Sequence, residues 1–224
     1  MTMTQDIEGR NGTSAPENQV FKGPNILTMD IVTTITNLCL GALAFGAFTY
    51  ASMIINILPQ YGAHIILVAF GYVIIVSQAV LSLTTSGWGR SLKQPQRRTA
   101  HFALQVLGCT AAISGGIVAI ANSNPNAKKS VHGVMGITTL SVTMLTLLGG
   151  IFSYLFPESK VKVIKIVHSI LGSITLILAF TTVLIALHRV PDTRMPWAYT
   201  VCAIVALIGI LLSPALNHFR RLTR

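Results

Sequence analysis

Six apolar runs alternate with short polar breaks along the chain, at roughly residues 31 to 57, 63 to 84, 100 to 121, 132 to 155, 164 to 187 and 197 to 213. Each reaches or approaches the ~20 residues that a helix rising ~1.5 Å per residue needs to cross a hydrocarbon core of ~30 Å. The runs are continuous and show no period-two alternation, so they predict helices, which satisfy their own backbone groups in lipid, and not the strands of a barrel. The pattern predicts an all-α membrane protein, a bundle of six transmembrane helices.

Composition agrees. A chain that is 52% hydrophobic and only 10% charged, with a mean hydropathy of +0.67, is excluded from the ordinary soluble domains. The breaks are too short to hold a second domain. Residues 1–25 form a polar N-terminal tail with Gly12, Ser14 and Pro16. It lacks the apolar core of a cleaved leader and is expected to be retained and disordered. The transmembrane domain is expected over 26–216, and 217–224 form a basic C-terminus.

Charge fixes the expected orientation. Arg10 and Lys22 in the tail, Arg90, Lys93, Arg97 and Arg98 in the second connection, Lys160, Lys162 and Lys165 in the fourth, and Arg220, Arg221 and Arg224 at the end place twelve basic residues on one side. The other side has four: Lys128, Lys129, Arg189 and Arg194. This bias predicts a multi-pass protein with both termini in the cytoplasm. The net charge of +10 is thereby explained by orientation and by contact with the anionic lipid bilayer. Its spread over loop ends argues against nucleic acid as a partner. Asn11-Gly12-Thr13 is a glycosylation sequon on the cytoplasmic side, where it goes unused.

Four histidines stand near the start of apolar runs: His64, His101, His132 and His168. An imidazole inside a membrane is costly and marks function by default. His64 and His132 begin helices that enter from the non-cytoplasmic side, whereas His101 and His168 begin helices that enter from the cytoplasm. The four therefore form two pairs at opposite depths, ~20 Å apart if each lies about a turn inside a ~30 Å core. A single four-histidine metal site is excluded.

A glycine follows each of them on the same helix face: Gly71 and Gly108 seven residues after His64 and His101, and Gly136 and Gly172 four residues after His132 and His168. A missing side chain there opens a slot beside the imidazole for a flat macrocycle. Arg98, Lys129 and Lys165 lie three residues before a histidine, and Tyr61 holds that place before His64. Cations so placed suit the propionates of a porphyrin, and Arg90, Lys93, Arg97 and Arg98 together make an anion-attracting patch at the cytoplasmic mouth that suits an anionic donor. The pattern points to two haems, each with two histidine ligands to its iron. Polar packing or proton relay by the same histidines is the competing reading, and would make the protein a multi-span membrane organiser or a small-solute or proton carrier without haem.

Other signals are weaker. Cys39, Cys109 and Cys202 show no paired spacing, and the Cys-x-x-Cys-His signature is absent, so any haem is non-covalent. Gly115-Gly116 and Gly149-Gly150 suit close helix approach, with room for a porphyrin as the second reading, and Gln78 and Gln105 suit interhelical hydrogen bonds or a haem pocket. His188 and His218 are expected at interfaces. Asp30, Glu158 and Asp192 fall at helix boundaries or in loops, which disfavours an ion-coupled transporter. No phosphate-binding loop, dinucleotide fingerprint or hydrolase nucleophile motif occurs.

Several segments resemble the cytochrome b561 family. Ala63-His64, Phe70-Gly71 and Gln78-Ala79-Val80-Leu81 are similar to the family's second helix, where His-Pro leads to Gly-Phe and Glu-Ala-x-Leu. Arg97-Arg98-Thr99-Ala100-His101 resembles the basic start of its third helix, and Ser130-Val131-His132-Gly133-Val134-Met135-Gly136 its Ser-Leu-His-Ser-Trp-x-Gly motif. Lys165-Ile166-Val167-His168 resembles the start of its fifth. The resemblance covers about residues 30 to 215. The departures are Ile65 for proline, Gln78 for glutamate, Val134 for tryptophan, and Ser82-Leu83-Thr84-Thr85 where ascorbate-using members have Tyr-Arg.

The resemblance implies a transmembrane oxidoreductase of the ascorbate-dependent or ferric reductase type, with a four-helix haem-binding core formed by helices 2 to 5. His64 and His132 would hold one haem b, and His101 and His168 the other. It further implies a small-molecule electron donor such as cytosolic ascorbate, and monodehydroascorbate or a ferric chelate as acceptor beyond the membrane. It implies a homodimer as the assembly. The sequence carries no retrieval or lipidation motif that selects among plasma membrane, vacuole and other endomembranes.

Overall fold

The computed structural model describes the backbone of residues 26–156, 162–189 and 196–222, with side chains over 27–156, 163–189 and 197–212. The tail 1–25 with Arg10, Lys22 and its sequon, Glu158, Lys160, Asp192, Arg194 and Arg224 lie outside the described residues, as do the side chains of Lys162, His218, Arg220 and Arg221.

Among the described residues six long helices form the bundle: α1 Ile26–Ile54, α2 Pro59–Leu81, α3 Gln94–Asn122, α4 Val131–Leu155, α5 Lys162–Leu187 and α6 Pro196–Leu222. Among the described residues there is no strand. Five of the helices are long and apolar enough to cross a membrane, and the described apolar stretch of α6, Trp197–Leu212, is shorter. The protein is an all-α, multi-pass integral membrane protein.

Several helices begin earlier than the apolar runs, for local reasons. Pro59 opens α2, and Pro95 lies in the first turn of α3, where a missing N–H costs nothing and the fixed φ suits a helix. The Gln96 side chain accepts the backbone N–H of Lys93 at 2.8 Å. Arg97 and Arg98 consequently sit on α3 itself and not in the loop before it. At the other end of α2, residues Ser82–Ser86 leave the helix, because their hydroxyls find closer partners. Thr84 Oγ1 donates to the Leu81 carbonyl at 2.8 Å, and Ser86 Oγ meets Thr33 Oγ1 of α1 at 2.8 Å. Ser82, Thr84 and Ser86 are all buried.

The connection from α3 to α4 is built from two caps. Asn124 accepts the N–H of Ala127 at 2.7 Å to start the one-turn helix Pro125–Lys129, and Ser130 accepts the N–H of Gly133 at 3.1 Å to start α4. A side chain at position 133 would collide with the carbonyl of Ala127 and lie 2.7 Å from that of Lys128. Glycine there lets the cap close.

The helices pack as adjacent pairs, α2 with α3, α4 with α5 and α1 with α6, and further contacts of α3 with α4, α1 with α2 and α5 with α6 join them. Gly71 of α2 and Gly108 of α3 let their two helices approach closely. A Cβ at Gly71 would stand 2.7 Å from both the Gly108 carbonyl oxygen and the Ala112 nitrogen, so these two glycines are used by helix contact. Gln78 donates to Asn37 of α1 at 2.8 Å and accepts from Trp88 Nε1 at 3.0 Å, acting between helices as its position suggested. Gln105 stays within α3, accepting from the Cys109 thiol at 3.5 Å. Cys39 and Cys202, remote in sequence, meet between α1 and α6 as free thiols.

Candidate functional site: two histidine pairs

His64, His101, His132 and His168 all lie within the first two turns of their helical segments, on α2, α3, α4 and α5. The fold brings them together in the two expected pairs. The ring centroids of His64 and His132 are 6.3 Å apart with planes at 75°, and those of His101 and His168 are 6.4 Å apart with planes at 82°.

Each imidazole is held by a backbone carbonyl. His64 Nδ1 meets Gly115 O at 2.9 Å, His101 Nδ1 meets Ala79 O at 2.8 Å, His132 Nδ1 meets Thr182 O at 3.2 Å, and His168 Nδ1 meets Thr146 O at 3.1 Å. A carbonyl only accepts, so Nδ1 carries the proton in all four rings and Nε2 is left with a lone pair. This is the outer hydrogen bond that orients a metal-bound histidine. The α2/α3 and α4/α5 pairs are latched reciprocally, because each helix gives one histidine and one accepting carbonyl to its neighbour. At each depth two histidines and two carbonyls come from four different helices.

The spacing fits a shared metal. Two imidazoles bonded through Nε2 at about 2.0–2.1 Å, with each centroid about 1.1 Å behind its nitrogen, have centroids about 6.3 Å apart. A T-shaped ring contact permits a similar distance, but it leaves two bare acceptors and no proton between them. The Nε2 atoms have no hydrogen-bond partner among the described residues, where no sealed side-chain nitrogen or oxygen is left unpaired. Each Nε2 therefore borders open space. Among the described residues no group of three or more His, Cys, Asp or Glu side chains could hold an ion. Two protein ligands suffice when a macrocycle supplies the remaining four.

The pairs lie far apart along the bundle. On α3, His101 is fourteen residues from Gly115, the residue that latches His64, which is about 21 Å at ~1.5 Å per residue.

The glycines divide. Gly71 and Gly108 serve the α2/α3 contact, whereas a Cβ at Gly136 or Gly172 would meet only the methyl of Thr182 at 3.9 Å or of Thr146 at 3.8 Å. Gly150, from a pair expected to serve packing or to give a porphyrin room, is the glycine against a histidine ring: a Cβ there would lie 2.9 Å from His168 Cε1. Gly149 has nothing within 4 Å, while Gly115 and Gly116 pack against Leu67 and Leu140.

The basic residues divide too. Arg98, Lys129 and Lys165 are exposed and have no charged or hydrogen-bonded partner among the described residues. Arg97 donates from Nε to the Leu92 carbonyl at 3.0 Å. Arg90 is ion-paired with Asp30, which also accepts the Gly87 N–H at 3.3 Å, so it contributes little net charge to the patch. Tyr61 is half-buried near the start of α2.

The family profile of eukaryotic cytochrome b561 matches residues 63–191, more than half of the chain and a span that contains all four histidines. The chain belongs to the cytochrome b561 family. Members are transmembrane oxidoreductases that bind haem b and move electrons across a membrane, chemistry that suits paired imidazoles with free Nε2 atoms. No curated protein and no solved structure matches the chain.

Some contributing residues escape a reading of histidines alone. The latching carbonyls of Ala79, Gly115, Thr146 and Thr182 have no side-chain signature. The buried threonines do: Thr139, Thr143 and Thr146 recur at helical spacing on α4, and two of them meet threonines of α5, with Oγ1 contacts of 3.1 Å for Thr139–Thr182 and 3.0 Å for Thr146–Thr175.

Proposed function

We propose that this protein transfers single electrons across a membrane through two haem b groups, one on His64 and His132 and one on His101 and His168. The carrying observation is that both pairs combine a metal-sharing separation, 6.3 and 6.4 Å, with Nδ1 protons committed to carbonyls. When bound, each haem supplies a one-electron ferric/ferrous couple.

The chain's own residues do the rest. The four carbonyl latches fix ring orientation and tautomer, and the hydrogen bond at Nδ1 raises the basicity of Nε2 toward iron. Gly136 and Gly172 leave the faces beside His132 and His168 open, and Gly150 lets the His168 ring sit against α4. Arg98 and Lys165 at the His101/His168 end, and Lys129 with Tyr61 at the other, are placed for propionates or for anionic redox partners.

In this reading the basic His101/His168 end faces the cytoplasm, as do both termini. The donor is an ascorbate-like anion, and the acceptor at the His64/His132 end is monodehydroascorbate or a ferric chelate. The assembly is a homodimer.

The test is the reduced-minus-oxidised spectrum of purified protein, with His101→Ala and His132→Ala as separate variants. Haem b absorbance reduced in each variant is expected. Absence of haem from the wild type, or content unchanged in both variants, overturns the proposal.

A further inference from the structure

Three of the four histidine-bearing helices space a histidine and a latching carbonyl identically. Fourteen residues separate His101 from Gly115, His132 from Thr146 and His168 from Thr182. In α2 the separation from His64 to Ala79 is fifteen. The additional residue is absorbed in a π-helical stretch, Ala69–Val76, where wider turns take up one residue and leave both ends of the helix in phase. A local departure from α-helical geometry thus sits at the middle of a core whose other three helices share one spacing.

Tyr72 lies in that stretch, eight residues past His64 and seven before Ala79, or about 12 and 10 Å along the axis. It is 5% exposed, and its hydroxyl is 2.6 Å from Thr143 Oγ1 on α4. Thr143 gives its own proton to the Thr139 carbonyl at 2.7 Å, so the phenol is the donor to Thr143. Ser77 supports the widened turn by donating to the Tyr72 carbonyl at 3.0 Å, and is fully buried. Thr143 lies one turn from Thr146, whose carbonyl holds His168. A hydrogen-bonded aromatic therefore spans the level between the two pairs, reaching from α2 to α4.

A phenylalanine would fill the same apolar volume without a polar group to satisfy. We infer that the π-turn is kept in order to hold Tyr72 across the centre of the bundle, and that the Tyr72–Thr143 hydrogen bond connects the two histidine pairs electronically. Tyr72 is a positioning residue. One electron leaves the His101/His168 site and one is gained at the His64/His132 site, while Tyr72 keeps its proton and all its electrons. Coupling through bonded and hydrogen-bonded atoms decays less steeply than coupling across a gap, which is what the bridge supplies.

The inference rests on the two-haem reading. Its test compares wild type, Tyr72→Phe and Thr143→Val in the full-length, haem-loaded protein, by rapid photoreduction and by redox-difference infrared spectroscopy of the tyrosine C–O stretch. Both variants are expected to keep two haems, to slow equilibration between the sites by about threefold or more, and to show no further loss when combined. Tyr72→Phe should keep the wild-type unfolding temperature, whereas Thr143→Val, which leaves the buried phenol without its acceptor, should lower it. The C–O band should respond to reduction in wild type and vanish in Tyr72→Phe. Deletion of Ile74, which restores fourteen-residue spacing in an uninterrupted α-helix, should retain both haems and slow equilibration likewise. Equilibration unchanged in Tyr72→Phe and Thr143→Val, with two haems present, overturns the inference and leaves the haem reading standing. A wild type without haem overturns the haem reading itself.

Discussion

His168 donates from Nδ1 to the carbonyl of Thr146 at 3.1 Å, and Thr146 belongs to the helix that carries His132 of the other pair. Each helix of the core therefore takes part at both depths, once with its histidine and once with a latching carbonyl. The two pairs are separate in position and joined through the helices that latch them. Replacing His101 or His168 with alanine is expected to remove about half of the haem b, because two ligands are needed per iron. His64→Ala or His132→Ala should remove the other half. Pyridine haemochromogen stoichiometry checks both, and loss of all haem in every variant would show that the sites do not load independently.

Gly150 gives a sharper variant. A methyl group there lies 2.9 Å from His168 Cε1, and the ring cannot swing freely because its Nδ1 is held by Thr146. Gly150→Ala is expected to empty the His101/His168 site while the His64/His132 site stays loaded. Gly149→Ala, with nothing within 4 Å, is the matched control and should retain both. Optical and paramagnetic resonance spectra distinguish the outcomes.

The two kinds of glycine predict different failures. Gly71→Ala places a methyl 2.7 Å from backbone atoms of Gly108 and Ala112, which cannot yield without parting α2 from α3. A destabilisation of about 1–3 kcal/mol is expected, read as a lower unfolding temperature in detergent even without haem. Gly136→Val and Gly172→Val meet only threonine methyls at 3.9 and 3.8 Å near Cβ. These should leave the haem-free protein as stable as wild type and lower haem content, if the open faces receive a macrocycle. Equal haem content would remove them from the site.

The histidine pairs were legible because span counting assigns depth, and depth assigns partners. Helix starts were less so: Pro59 and Pro95 begin helices in polar surroundings that a search for apolar runs passes over. Gly71 and Gly108 carried the same spacing signal as Gly136 and Gly172, yet the first two meet a neighbouring helix and the others open space. Spacing along one helix cannot tell what lies opposite it. The π-turn of α2 has no sequence signature that we recognise, since Ala69–Val76 reads as an ordinary apolar run. Arg90 looked like part of an anion-attracting patch until Asp30, sixty residues away in sequence, was found beside it.

That ion pair separates the basic residues into those free to attract an anion and those already committed. Arg98 and Lys165 are exposed, lie one turn before His101 and His168, and have no partner among the described residues. Their field reaches solvent and is screened over about 8–10 Å at ordinary ionic strength. Arg98→Glu and Lys165→Glu are each expected to slow reduction by ascorbate on the order of tenfold at low salt, with the difference shrinking as salt rises. Arg90→Gln should slow it less, since it removes a cation that Asp30 already balances, although the freed carboxylate then adds one negative charge near the mouth. Asp30→Asn with Arg90→Gln restores that balance and should return the rate toward wild type. Stopped-flow reduction across a salt series measures all of these. Equal rates for wild type, Arg98→Glu and Lys165→Glu at low salt would place the donor's approach elsewhere.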